Sequence, residues 1–173
     1  MTRYVVAEAG EIPDGGRKIV EVGGRSIGVF YVNGEYFALL NRCPHQAGPL
    51  CTGELWGALE ATVPGEYRTS REGEILTCPW HGWEFDLRTG ASWCAPERLR
   101  VRTYGVVLEP GGALQEATDP AAPAPGLVRG PYVAETYPVA AEGRYVVVDL
   151  AGRASSMGTA GGPRRTPARL GCS

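Results

Sequence analysis

An all-β fold, a sandwich or small barrel of stacked antiparallel sheets, is predicted by three features of the sequence. Short segments that alternate apolar and polar residues recur along the chain, separated by turn residues. Glycine (25) and proline (14) are abundant among the 173 residues, as a chain with many turns requires. No amphipathic helical pattern is sustained for about twelve residues.

Residues 3–7 predict a first strand, and "EIPDGGR" a turn-rich connector. "KIVEV" alternates, "GG" follows at 23–24, and "SIGVFYV" predicts the next strand. Asn33-Gly34 then separates it from "EYFALL". Both residues tolerate positive φ, so this dipeptide is the strongest short signal for a hairpin. Residues 52–63 are ambiguous, and "GELWGALEA" admits a short helical turn. "EYRTSREGEILTC" predicts a hairpin around Glu72-Gly73, "WEFDLRTG" a strand ending in a turn at Thr89-Gly90, and "LRVRTYGVVLEP" a further strand. Residues 111–131 shift to Ala, Pro and Gly and predict an inserted flexible loop. Residues 135–150 predict a last hairpin, turning near Glu142-Gly143. The expected organisation is one domain over 1–150, carrying that insert, and a disordered basic tail over 151–173.

A hydrophobic content of 43% with 21% charged residues is enough for a real core. The net charge of −2 divides into +4 on residues 151–173 and −6 on the rest. An acidic body argues against nucleic-acid binding and suits docking on a basic patch of a protein partner. No apolar run approaches a membrane span, and "MTRYVVAEAG" lacks the pattern of a secretion signal, so no membrane contact and a cytoplasmic location are expected. Five cysteines, an odd number, argue for metal binding or free thiols rather than a disulfide framework.

The chemistry concentrates in two loops. "NRCPHQAGPL" carries Cys43 and His45, and "CPWHGWEF" carries Cys78 and His81; these are the only two histidines of the chain. One Cys-x-His pair alone is outweighed by ordinary packing roles. Two such pairs, each in a Pro/Gly-rich loop, supply two sulfur and two nitrogen donors, which points to a metal site. A structural zinc accepts such a set, although the first pair is spaced too tightly for a zinc finger and no recognition helix follows the second. A [2Fe–2S] cluster with two cysteines on one iron and two histidines on the other accepts it equally.

"CPH…CPWHG" resembles the Rieske iron–sulfur signature, Cys-x-His followed by Cys-x-x-His-Gly. "WEFDLRTG" resembles the segment that follows it in ferredoxin-type and oxygenase-type members. The likeness runs from about residue 3 to residue 150, without 111–131 or the tail, and the wide gap between the loops places an insertion within 52–77. The resemblance implies a Rieske-type fold with two cluster-binding loops and one [2Fe–2S] cluster per chain. It makes Cys43 and Cys78 the ligands of an inner iron, and His45 and His81 those of an outer iron near the surface. Pro44, Pro79, Trp80, Gly82 and Trp83 would stiffen the loops and cover the cluster.

High-potential members carry an extra cysteine in each loop, joined as a disulfide, and a serine and a tyrosine that bond the cluster. The corresponding positions here are Gly48 and Trp80, and Trp83 and Phe85, so the resemblance implies a low potential. A complete Rieske oxygenase needs a second iron held by further histidines, which this chain does not have. It therefore implies an electron carrier rather than a catalyst, one component of an oxidoreductase system between a flavin reductase and a terminal oxygenase or reductase. A small subunit of a larger reductase of the nitrite-reductase kind, and a zinc-stabilised interaction module, are the alternatives. Cys51 and Cys94 read as buried small residues, Cys172 as an incidental free thiol, and Glu84 and Asp86 as strand or turn residues.

Overall fold

The computed structural model describes residues 3–116 and 142–152. In chain order the elements are β1 (Arg3–Glu8), β2 (Gly16–Val22), β3 (Arg25–Val32), β4 (Glu35–Leu40), a 3₁₀ turn (Leu50–Thr52), β5 (Leu55–Val63), β6 (Glu66–Thr77), β7 (Glu84–Asp86), β8 (Thr103–Pro110), α1 (Gly111–Glu116) and β9 (Arg144–Asp149). A six-stranded antiparallel sheet has the order β1-β9-β8-β4-β3-β2, and a three-stranded sheet the order β5-β6-β7. The expected all-β architecture of two stacked sheets is what the chain adopts. Among the described residues no helix is long and apolar enough to cross a membrane.

β3 explains how the sheets share a core. Its segment "SIGVFYV" is nearly continuous in apolar residues because both of its faces are covered. Ile27 and Val29 point into one buried cluster, with Val6, Ala38, Tyr104, Val146 and Val148. Phe30 and Val32 point the other way, into a second cluster with Phe37, Leu39, Leu76, Phe85 and Leu87. Each such fully buried Phe or Leu contributes about 1.5–3 kcal/mol. Cys43 and Cys78 belong to this second cluster, so both loops are rooted in the core between the sheets. The β3–β4 turn is the expected one, with positive φ at Asn33 and Gly34.

The 52–77 region departs from expectation. "GELWGALEA" forms no helical turn; residues 55–63 are strand β5, paired with β6 from Leu55↔Leu76 to Val63↔Glu66. Cross-strand pairing overrides the helical preference of Leu, Ala and Glu. The hairpin turn is consequently at Pro64-Gly65, where Gly65 has φ +90°, and not at Glu72-Gly73. Arg71 and Gly73 do take positive φ, as a turn there requires, but within a bulge: the register jumps from Trp56↔Ile75 to Ala58↔Ser70. The inferred insertion is thus a two-stranded arm that exposes Leu59, Val63 and Tyr67.

The first part of the 111–131 segment is likewise not a loop. Residues 111–116 form α1 directly after β8, as the helix formers Ala113, Leu114, Gln115 and Glu116 favour. Residues 117–131 of that insert, 135–141 of the last hairpin and 153–173 of the tail lie outside the described residues.

A cluster of charges ties the second sheet to the first. Glu74, on β6, is buried and bonds Arg88 at 3.0 Å and Arg71 at 3.0 Å; Arg71 also reaches Asp86 at 2.6 Å. Arg88 extends to Glu35 at the start of β4 and covers the Phe37 ring. The arginines hold the Glu74 carboxyl below the usual carboxylate range, against the opposing effect of burial. Asp86 also accepts hydrogen bonds from the Arg88 and Thr89 amides, which is the turn role expected of it.

Candidate metal centre

The two Cys/His loops are closed by the same hydrogen bonds. In the first, the Cys43 amide donates to the Gly48 carbonyl at 2.8 Å, and the Ala47 amide donates to the Cys43 carbonyl at 2.8 Å. In the second, the Cys78 amide donates to the Trp83 carbonyl at 2.7 Å, and the Gly82 amide to the Cys78 carbonyl at 3.0 Å. In each loop the residue four after the cysteine has positive φ: Ala47 at 62° and Gly82 at 68°. Each loop therefore folds back on itself over six residues, with its cysteine at the base and its histidine on the outer turn.

The loops also pack on each other. A Cβ at Gly48 would lie 2.7 Å from Cδ2 and 2.9 Å from Cγ of Trp80. Beneath them, a Cβ at Gly53 would lie 1.8 Å from the Thr77 carbonyl oxygen, so the chain after the first loop runs against the entry to the second. The Arg17 guanidinium anchors that stretch by bonding the Cys51 and Gly53 carbonyls.

The expected donors come together as two pairs, Cys43 with Cys78 and His45 with His81. Cys43 and Cys78 are each 2% exposed, form no disulfide and lie side by side. Burial pushes the Cys43 thiol up from its ordinary pKa; the His45 and Gln46 amides aimed at its sulfur oppose this, and Cys78 adds to the rise. His45 and His81 are exposed, with ring centroids 5.0 Å apart and nearly perpendicular. Trp83 lies 5.3 Å from the His45 ring, and the Trp80 ring 6.3 Å from that of His81. The arrangement is a buried sulfur pair beneath an exposed imidazole pair.

Among the described residues no three histidine, cysteine or acidic side chains converge on a point that would hold one metal ion. A single tetrahedral zinc needs four donors around one centre. Donors divided into a sulfur pair and a nitrogen pair instead fit a two-iron cluster, and amides aimed at a cysteine sulfur supply the hydrogen bonding such a group takes.

The remaining cysteines lie apart from this arrangement. Cys51 is fully buried, packed where a Cβ on Gly28 would lie 2.5 Å from its sulfur, and burial pushes its thiol up to about 12. It stays a neutral, small apolar residue. Cys94 is half-buried rather than fully buried, which corrects the reading of it as a buried packing residue. Cys172 lies outside the described residues. Two features escaped the sequence reading. The positive φ of Ala47 has no glycine to signal it, and the Gly48–Trp80 contact joins positions that no spacing rule connects.

Several characterised proteins are similar to this chain. It is 32% identical over 111 residues to the 3-phenylpropionate/cinnamic acid dioxygenase ferredoxin subunit of Photorhabdus laumondii, covering 64% of this chain and 90% of that one. It is 33% identical over 99 residues to the ferredoxin component of the naphthalene 1,2-dioxygenase system of Pseudomonas aeruginosa, covering 57% and 80%. Among solved structures, the ferredoxin of carbazole 1,9a-dioxygenase from Nocardioides aromaticivorans IC177 superposes with a TM-score of 0.50 at 28% identity, covering 63% of this chain and 91% of that one. Residues 2–105, which contain both loops, match the Rieske [2Fe-2S] domain, and the chain belongs to that family and carries its [2Fe–2S] cluster.

Proposed function

We propose that this chain is a Rieske-type ferredoxin that passes single electrons from a flavin reductase to a terminal oxygenase or similar enzyme, with Cys43 and Cys78 on one iron and His45 and His81 on the other. The observation that carries this is the stacking of a buried cysteine pair under two exposed histidines 5.0 Å apart. When bound, the cluster takes up and returns one electron. The protein's part is positional. The closed loops fix the donors, the core around Cys43 and Cys78 keeps water from the inner side, and the exposed imidazoles form the route to a partner. The chain's two histidines are used there, leaving none for a second iron of the kind a catalytic oxygenase subunit needs.

The relatives are named as ferredoxin components of dioxygenase systems, which favours an oxygenase as the electron acceptor. A single domain over 1–150 and a cytoplasmic location accompany this reading. The zinc-module alternative is disfavoured by the match of residues 2–105 to the Rieske [2Fe-2S] domain. Anaerobic reconstitution with iron and sulfide tests the proposal. A visible chromophore that reduces by one electron per chain supports it. A colourless protein, or a chromophore that survives in a Cys78→Ser variant, overturns it.

A further inference from the structure

Beside the first loop lies an open cleft of about 490 Å³, walled by Cys43, His45 and Gln46 on one side and by residues 100–102 on the other. Arg42, Arg100 and Arg102 all line it, and among the described residues no acidic one does. Arg102 is partly committed, reaching the Leu150 carbonyl at 3.3 Å and lying over the Tyr104 ring. Arg42 and Arg100 are exposed and form no ion pair among the described residues. The body of the chain is acidic, −6 over residues 1–150. A cluster of three positive charges, with no acidic partner among the described residues, placed against His45, runs against that background.

We infer that this cleft receives a carboxylate-rich segment of the redox partner, so that the electron route is electropositive while the molecule as a whole is acidic. The inference rests on the proposed function and gives it a partner chemistry. Guanidinium groups pair with carboxylates bidentately and steer encounter through their field. An acidic segment seated here would lie against the His45 edge, bringing the partner to the imidazole pair. The local sign is thus opposite to the one the overall charge suggests, and the docking patch on the partner would be acidic rather than basic.

The test uses the full cluster-loaded chain, an Arg42→Glu/Arg100→Glu variant and an Arg68→Glu/Arg144→Glu variant. The last pair makes the same charge change on the β5–β6 arm and at the far end of β9. Two probes are used: binding of an oligoglutamate peptide by calorimetry, and oxidation of the reduced protein by ferricyanide. In the second, one electron leaves the protein and ferricyanide becomes ferrocyanide.

The native chain is expected to bind the peptide with salt-sensitive affinity and to lose about tenfold or more on reversal at Arg42 and Arg100. Its ferricyanide rate should fall as ionic strength rises, and the cleft variant's should rise. The distal variant should behave as native in both. Equal effects from the two variants, or a native ferricyanide rate that rises with salt as for a net-negative molecule, overturn the inference. So does displacement of the peptide by inorganic phosphate at constant ionic strength, which would mark a small-anion pocket. These failures would come with unchanged cluster spectra, whereas failure of the proposed function would show as no cluster in the native chain.

Discussion

Gly48 and Trp80 meet across the two loops, with the indole Cγ and Cδ2 occupying the space a side chain at Gly48 would need. These are the two positions at which high-potential members of the family are expected to carry a cross-loop disulfide. Here the same positions are joined by packing. The atoms that would clash are at the root of the Trp80 side chain, so the ring cannot clear them by moving its far end.

Gly48→Ala should therefore destabilise the protein by about 1–3 kcal/mol, the usual cost of overpacking. Trp80→Ala added to it should recover part of that loss, giving a coupling of about 0.5–3 kcal/mol in a double-mutant cycle. Urea unfolding of the four proteins measures it. Strict additivity would mean that the contact does not hold the loops together.

Gly82 isolates backbone strain from contact. A Cβ there meets nothing within 4 Å, but φ is +68°. Gly82→Ala should cost about 1–2 kcal/mol with no change in packing. Ala47 already accepts that cost at φ 62°, and Ala47→Gly should be neutral or mildly stabilising. Thermal unfolding of both variants checks the asymmetry between the loops.

Glu74 makes stability depend on acid pH. Its folded-state pKa is lowered, first by the hydrogen bonds from Arg88. Its contribution is therefore complete above the unfolded glutamate value of about 4.3 and is lost as pH falls through the depressed folded value. Glu74→Gln should flatten the stability profile below about pH 5. Near neutral pH it should cost about 1–3 kcal/mol, a moderate figure because the Arg88 side chain is 42% exposed and solvent screens its share. Denaturant midpoints from pH 3 to 7 would show it; parallel profiles for the two proteins would contradict it.

Trp83 and Phe85 occupy the positions where hydroxyls would bond the cluster and a cysteine sulfur, and neither offers an oxygen. Without those hydrogen bonds the added electron is less stabilised. The midpoint potential should be negative, towards about −150 mV. Redox titration followed by visible absorbance measures it, and a value above zero would contradict the argument.

Most of the strands, and the two loops that bring Cys43 beside Cys78 and His45 beside His81, were legible because their signals are local. Asn33-Gly34 fixes its own turn, and Cys-x-His with Cys-x-x-His fixes donor type and spacing. What the sequence concealed depends on distant partners. "LWGALEATV" becomes a strand because β6 lies beside it, and Gly73, correctly identified as a turn former, serves a bulge because the pairing continues past it. The arginine-lined cleft was hidden for the same reason: Arg42 and Arg100 are far apart in the chain and come to line one cleft only when 100–102 packs beside the first loop.

The most direct test is elemental analysis combined with low-temperature EPR of the anaerobically reconstituted, dithionite-reduced chain. About two irons and two acid-labile sulfides per chain with a rhombic signal are expected, all lost on Cys43→Ser or Cys78→Ser, and a signal altered on His45→Cys or His81→Cys. A chain that binds one zinc and no sulfide, or an EPR signal unmoved by substitution of both histidines, would contradict the account.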